Sequence, residues 1–232
     1  MSNGGVSKVA LIGAGAWGTT LAILLAQGGS DVVVWANESE VVDDINTLRE
    51  NKKYLSGFAL PANISASSSF EEVISSADYI LYSVPTQFMS KVVKESVHFF
   101  TGEAIISVAK GIEIKSLLLP SQIIKHETNK PVVVLSGPNI AKEIAQGLPA
   151  AAVASGDFEF TTGVQNLFSK LTNFRVYTND DPLGVEVGGA LKNIIAIAAG
   201  AVDGMELGDN AKSALMVRGL AEIRRLGVIL GG

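Results

Sequence analysis

Apolar and polar positions along this chain fall into short blocks whose period changes in a regular order. Residues 8–12 (Lys-Val-Ala-Leu-Ile) form the compact apolar run that a strand buried on both faces requires. Gly13-Ala-Gly-Ala-Trp-Gly18 interrupts it, and residues 19–27 resume as a largely apolar helix stopped by Gly28-Gly29. Residues 31–35 predict a second strand. The charged stretch 38–51 predicts a helix, 52–69 with Pro61 a loop, and 70–76 a short helix. Further strands are predicted at 79–84, 104–109, 131–135, 150–154 and 174–178, with helices at 87–99, 140–146 and 161–171. Strands alternating with helices imply βαβ units and a mostly parallel sheet.

The pattern changes after Pro182. Residues 183–202 read as one long apolar helix and 211–226 as a second. The expected division is therefore an α/β domain over residues 1–181 and the beginning of an all-helical domain over 182–232. Two helices make a poor independent core, so the second domain reads as truncated. The apolar stretch 194–202 falls short of the roughly 20 residues a bilayer span needs. The N-terminus has no basic segment followed by a long apolar core. These features predict a cytoplasmic protein without a membrane span.

Composition narrows the chemistry. The chain has 232 residues, 47% of them hydrophobic, enough for one large domain and part of another. Its formal net charge is −5, and no run of Lys or Arg exceeds two residues, so a nucleic-acid partner has no electrostatic footprint. An anionic ligand must be met by local lysines, arginines and backbone N–H groups. The absence of cysteine excludes disulfides, thiolate catalysis and Cys-ligated zinc. His98 and His126 are the only histidines and lie far apart in sequence, so no metal site is expected.

Gly13, Gly15 and Gly18 form G-x-G-x-x-G between the first strand and first helix, the context that gives this motif meaning. Gly13 permits the tight turn, Gly15 the close approach of a pyrophosphate, and Gly18 the packing of helix on sheet. The helix N-terminus adds free N–H groups and partial positive charge. These features predict a doubly wound Rossmann sheet that binds a dinucleotide. The acid that ordinarily meets the adenosine ribose should end the second strand, where Trp35-Ala36-Asn37 stands with Glu38 beyond. With no clear carboxylate and no arginine there, the choice between NAD and NADP stays open.

Seven segments then occur in order: Gly13-Ala-Gly-Ala-Trp-Gly-Thr19, Ser83-Val-Pro85, Val108-Ala-Lys-Gly-Ile-Glu113, Leu135-Ser-Gly-Pro-Asn139, Gly189-Ala-Leu-Lys-Asn193, Asn210-Ala-Lys-Ser-Ala214 and Arg218-Gly-Leu-Ala-Glu222. Together they resemble the NAD(P)-dependent glycerol-3-phosphate dehydrogenases. The resemblance implies hydride transfer between sn-glycerol 3-phosphate and dihydroxyacetone phosphate, supplying glycerol 3-phosphate for phospholipid synthesis. It implies that Gly13, Ala14, Gly15, Ala16, Trp17 and Gly18 hold the pyrophosphate, with Asn37, Phe88, Lys110 and Ala141 near the dinucleotide. It implies substrate contacts from Lys110, Gly137, Asn139 and Lys192, with Lys192 as proton acceptor and Asn193 beside it. A homodimer is compatible with it. The family's Gly-x-Gly-Asp and Ser-x-Arg-Asn segments, which supply a catalytic aspartate and much of the phosphate clamp, are not among these 232 residues. Two other readings are a dinucleotide-binding module without catalysis and a related β-hydroxyacid-type dehydrogenase.

The lysines also stand out without the family. Between Val187 and Val202 only Lys192 and Asn193 are strongly polar, so the helix has no charged face for a solvated lysine to join. Gly188 and Gly189, about one turn earlier, are expected to clear space over Lys192, leaving a desolvated amine usable as a base. Lys110 follows an apolar strand, and ligands of open parallel sheets bind outside the carboxyl ends of strands. The plain alternative for each is a lysine in water. Two cations near one site would depress one another's pKa. Ser136-Gly137-Pro138-Asn139 can serve as an anion-binding turn or simply as a helix cap.

Overall fold

The computed structural model describes residues 6–232. The elements in chain order are β1 (Lys8–Ile12), α1 (Ala16–Gln27), β2 (Asp31–Trp35), α2 (Ser39–Asp43), β3 (Glu50–Asn51), β4 (Leu55–Ala59), β5 (Ile64–Ser67), α3 (Phe70–Ile74), β6 (Tyr79–Tyr82), α4 (Thr86–Ser96), β7 (Ala104–Ser107), α5 (Pro120–Glu127), β8 (Val132–Ser136), α6 (Ala141–Ala145), β9 (Ala150–Ser155), α7 (Phe158–Leu167), β10 (Phe174–Asn179), α8 (Pro182–Gly204) and α9 (Gly208–Ile229). Eight strands form one sheet in the order β10-β9-β8-β7-β6-β1-β2-β5. All neighbours pair in parallel except β8 with β9.

Strand period explains the two layers. In β1, Val9 and Leu11 join the apolar cluster that includes Leu21 and Leu24 of α1 and Val164 of α7. Ala10 and Ile12 join the opposite cluster, with Ile74 of α3, Val93 of α4 and Ile123 of α5. Successive side chains of a strand point to opposite faces, so a strand covered by helices on both sides must be apolar throughout. The chain winds from β1 outward to β2 and then returns to place β6 on the other side of β1. This reversal opens a crevice at the carboxyl ends of β1 and β6, where open α/β sheets bind ligands.

Two expected segments differ. Residues 38–51 are not one helix: α2 lasts five residues, a π-helical turn covers Asp44–Leu48, and Arg49 takes a left-handed φ of 55°. Arg49 donates to the carbonyls of Ile45, Pro61 and Ile64, ending the helix by capping the loop beyond it. The stretch expected as loop contains β4 and the edge strand β5. Asn46 fixes β5 by donating to the Ala66 carbonyl and accepting from its N–H, both at 2.9 Å. Helix α5, which residue pattern did not predict, begins with Pro120 at its first turn.

Helix α8 spans 23 residues, longer than its apolar stretch suggested, and is long and apolar enough to cross a membrane by length and composition. Its first half packs on β8 and β9, burying Glu186, Val187 and Gly189. The Glu186 carboxylate accepts from the backbone N–H of Ser121 at 2.9 Å and from its hydroxyl, tying α8 to the start of α5. Burial pushes the Glu186 carboxyl up from the ordinary carboxylate value. Helix α9 folds back on α8 and leaves Val217 and Leu220 exposed, as Ile194 and Ile197 of α8 are.

Candidate active site

The glycine loop sits at the crevice, and each glycine has a different job. Gly13 has φ +114°, and a side chain there would come within 2.7 Å of the Ser83 carbonyl at the end of β6. A side chain on Gly18 would collide with the Gly13 carbonyl, so only glycine lets α1 start this close to β1. Gly15 has φ −65°, and nothing lies within 4 Å of where its Cβ would be. It faces empty space. No side chain caps α1, so its first N–H groups are left for water or a ligand.

Asn51 braces this loop. It is fully buried; Nδ2 donates to the Ala14 carbonyl and to Thr19 Oγ1, both at 2.8 Å, and Oδ1 accepts from the Tyr54 N–H at 3.1 Å. Residue pattern places Asn51 at the end of a helix and does not reveal this role. A buried amide with three partners is a packing event that arises only when distant segments meet.

A cavity of about 750 Å³ opens over the loop. Gly13, Ala14, Gly15, Ala16, Trp17 and Gly18 form its floor, with Trp35, Asn37, Glu38 and Tyr54 at one end. Phe88, Lys91 and Glu95 of α4 form a side wall, and Lys110 and Asn139 line it as well. Of the expected dinucleotide contacts, Ala141 does not line this cavity. Its carbonyl instead accepts from Thr20 Oγ1 at 3.2 Å, where α6 packs on α1. Glu38, which by spacing lies past the end of β2, does line it.

Beside the cavity the candidate substrate residues converge. Lys192 Nζ donates to the Gly137 carbonyl at 2.8 Å, across 55 residues of sequence. The same carbonyl accepts from the Asn139 N–H at 3.0 Å. Asn139 Nδ2 donates to the Ala151 carbonyl at 3.0 Å, while Oδ1 is buried without a partner. Lys110 lies between: its ammonium sits 5.6 Å from the centre of the Trp17 ring, a cation–π arrangement. Burial, and then the charge of Lys192, push the Lys110 ammonium down to about 8. Gly189, rather than Gly188, makes the approach possible. A side chain on Gly189 would meet Ser136 Oγ at 2.6 Å, whereas nothing lies near Gly188. Lys192 is half-buried, while its neighbour Asn193 is exposed.

The cavity over the glycine loop and two lysines thus lie together, Lys110 just after β7 and Lys192 of α8 reaching the Gly137 carbonyl just after β8. Two family models match the sequence: the NAD-dependent glycerol-3-phosphate dehydrogenase N-terminus over residues 8–159 and the C-terminus over 181–232. The chain belongs to this family. A glycerol-3-phosphate dehydrogenase [NAD(P)+] of Bacillus subtilis is 47% identical over 233 residues, covering 98% of this chain and 67% of the relative. One from Clostridium perfringens is 46% identical, covering 98% and 69%. The crystal structure of glycerol-3-phosphate dehydrogenase from Coxiella burnetii superposes with a TM-score of 0.90 at 34% identity, covering 98% of this chain and 70% of that one. The chain thus spans about two thirds of the length of the relatives it matches. The relatives are NAD(P)-dependent oxidoreductases, which supports the glycerol-3-phosphate dehydrogenase reading over the β-hydroxyacid-type one.

Proposed function

We propose that this chain serves an enzyme that interconverts sn-glycerol 3-phosphate and dihydroxyacetone phosphate by hydride transfer with NAD or NADP, supplying glycerol 3-phosphate for phospholipid synthesis. The observation that carries this reading is the meeting of Lys110, Lys192 and Asn139 beside the glycine-loop cavity. The nicotinamide, when bound, supplies the hydride acceptor and donor. The residues present fit a dinucleotide: Gly15 faces open space, the α1 N-terminus is uncapped, and the cavity runs from Glu38 to Lys110.

The α1 N–H groups hold the pyrophosphate, because unpaired N–H donors and the helix dipole both favour an anion there. Lys110 contributes positive charge at the reacting end and keeps it below about pH 8. Asn139 lines the cavity, and the substrate contact we assign to it rests on that position. Lys192 Nζ, as the amine, accepts the hydroxyl proton on oxidation and, as the ammonium, returns it on reduction. Its bond to the Gly137 carbonyl aims it at the site. Gly137 acts through that carbonyl, and Asn193, exposed beside Lys192 on α8, is assigned to the same site.

The Rossmann domain covers residues 1–181 and the helical domain begins at 182. The exposed apolar face of α8 and α9 is, in this reading, a packing surface rather than a membrane contact. A cytoplasmic homodimer belongs to the same proposal, and sedimentation velocity of the enzyme tests the dimer. The function is tested by titrating NADH against the 232-residue chain and following NADH absorbance with dihydroxyacetone phosphate. Binding is expected here, with turnover requiring the length the relatives have. Failure to bind either dinucleotide refutes the reading.

A further inference from the structure

We propose that Glu38 makes this cavity selective for the dinucleotide with a free adenosine 2′-hydroxyl, NAD(H), over the one phosphorylated there, NADP(H). The proposal rests on the dinucleotide reading of the cavity and adds which coenzyme it takes.

In a βαβ dinucleotide fold the adenosine ribose lies at the end of the second strand, where a carboxylate accepts from the 2′-hydroxyl or an arginine meets a 2′-phosphate. Here β2 ends at Trp35, and Asn37, Glu38 and Tyr54 line the cavity just beyond it. The Glu38 carboxylate is held from two sides. Lys53 Nζ donates to Oε1 at 2.8 Å, and the Tyr54 hydroxyl lies 3.1 Å from Oε1 and 3.0 Å from Oε2. These partners, Lys53 first, hold its carboxyl below the ordinary carboxylate value. Glu38 is therefore an oriented anion with lone pairs left to accept from a ribose hydroxyl.

A 2′-phosphate would bring roughly −1.5 to −2 of charge beside that anion, and like charges so placed repel. The described residues offer no compensating clamp. Lys53 is already engaged by Glu38. Lys91, which lines the cavity, lies 4.0 Å from Glu95, which lines it too. Among the described residues no arginine lines the cavity, and Arg49, the arginine nearest in sequence, is turned onto backbone carbonyls. The bidentate fork that suits a phosphate is missing from these residues.

Fluorescence titration of the chain with NADH and with NADPH, at one ionic strength, tests this. NADH is expected to bind about tenfold tighter or more, the scale of one like-charge contact. Glu38→Gln keeps the side-chain length, removes the charge and frees Lys53. It is expected to strengthen NADPH binding and bring the two affinities within about threefold. Glu38→Asp keeps the charge and should keep the preference for NADH. Equal or tighter binding of NADPH by the unaltered chain overturns the proposal alone. So does a ratio that Glu38→Gln leaves unmoved. Binding of neither dinucleotide overturns the cavity reading and this proposal with it.

Discussion

Replacing Gly15 by valine separates binding from folding more sharply than any other change in the glycine loop. Gly15 is the N-cap of α1 with φ −65° and ψ 176°, an extended conformation that valine adopts without strain. Its missing side chain would meet nothing within 4 Å, so the fold itself has room for it. The cost to the helix is the poorer capping preference of valine, at most about 1 kcal/mol. The cost to the ligand is larger. A branched side chain over the uncapped α1 N-terminus pushes a phosphate away from N–H groups whose charge-assisted hydrogen bonds contribute about 1.5–3 kcal/mol each. Losing one such bond weakens dinucleotide affinity by about 2 kcal/mol, or roughly 30-fold in Kd. Gly18→Ala should show the reverse pattern, because its side chain would collide with the Gly13 carbonyl in the folded protein. The assay pairs NADH titration by fluorescence with thermal melting. Gly15→Val is expected to lose affinity with Tm nearly kept, and Gly18→Ala to lose Tm outright. A Gly15→Val chain that binds NADH with unchanged Kd would show that the pyrophosphate does not lie over this loop.

Three further outcomes follow from the lysines and from Glu186. Lys192→Met, assayed over the length its relatives have, should lower kcat by about 10²-fold or more while NADH binding is kept; near-normal turnover would return Lys192 to a structural role. Because the Lys110 ammonium is pushed down to about 8, Lys110 should be acylated faster than the surface lysines at pH 8 and protected by NADH, as peptide mapping by mass spectrometry would show. Burial raises the Glu186 carboxyl above its unfolded value of 4.5, so the folded state holds the proton longer than the unfolded one. Stability should then fall as pH rises from 4.5 through the raised value, and Glu186→Gln should flatten that slope in denaturant titrations at several pH values. An identical slope in the variant would show that Glu186 is not the group responsible.

Sequence by itself determined the alternation of strand and helix, the parallel sheet, the place of Gly13, Gly15 and Gly18 between β1 and α1, and the switch to helix at Pro182. These are local properties. Period is written in consecutive residues, and the glycine motif, its strand and its helix are contiguous, so no distant contact is needed to read them. The same holds for Lys110, which its position after a buried strand is enough to mark. Tertiary structure alone decided the region from Glu38 to Ser67. Its charged and polar residues look helical or irregular because their partners are remote: Asn46 bonds β5, Arg49 caps carbonyls up to 15 residues away, and Asn51 braces the glycine loop 32 and 37 residues earlier. Spacing alone leaves Glu38 outside the site, since it lies past the strand end. It lines the cavity with its carboxylate held by Lys53 and Tyr54, contacts that form only once the chain folds back. Likewise, no spacing could reveal that Lys192 reaches the Gly137 carbonyl across 55 residues, or that Gly189 and not Gly188 lets α8 come that close. Hydrogen bonds of buried polar groups are satisfied wherever the chain brings a partner, and that geometry exists only once the whole sheet has closed.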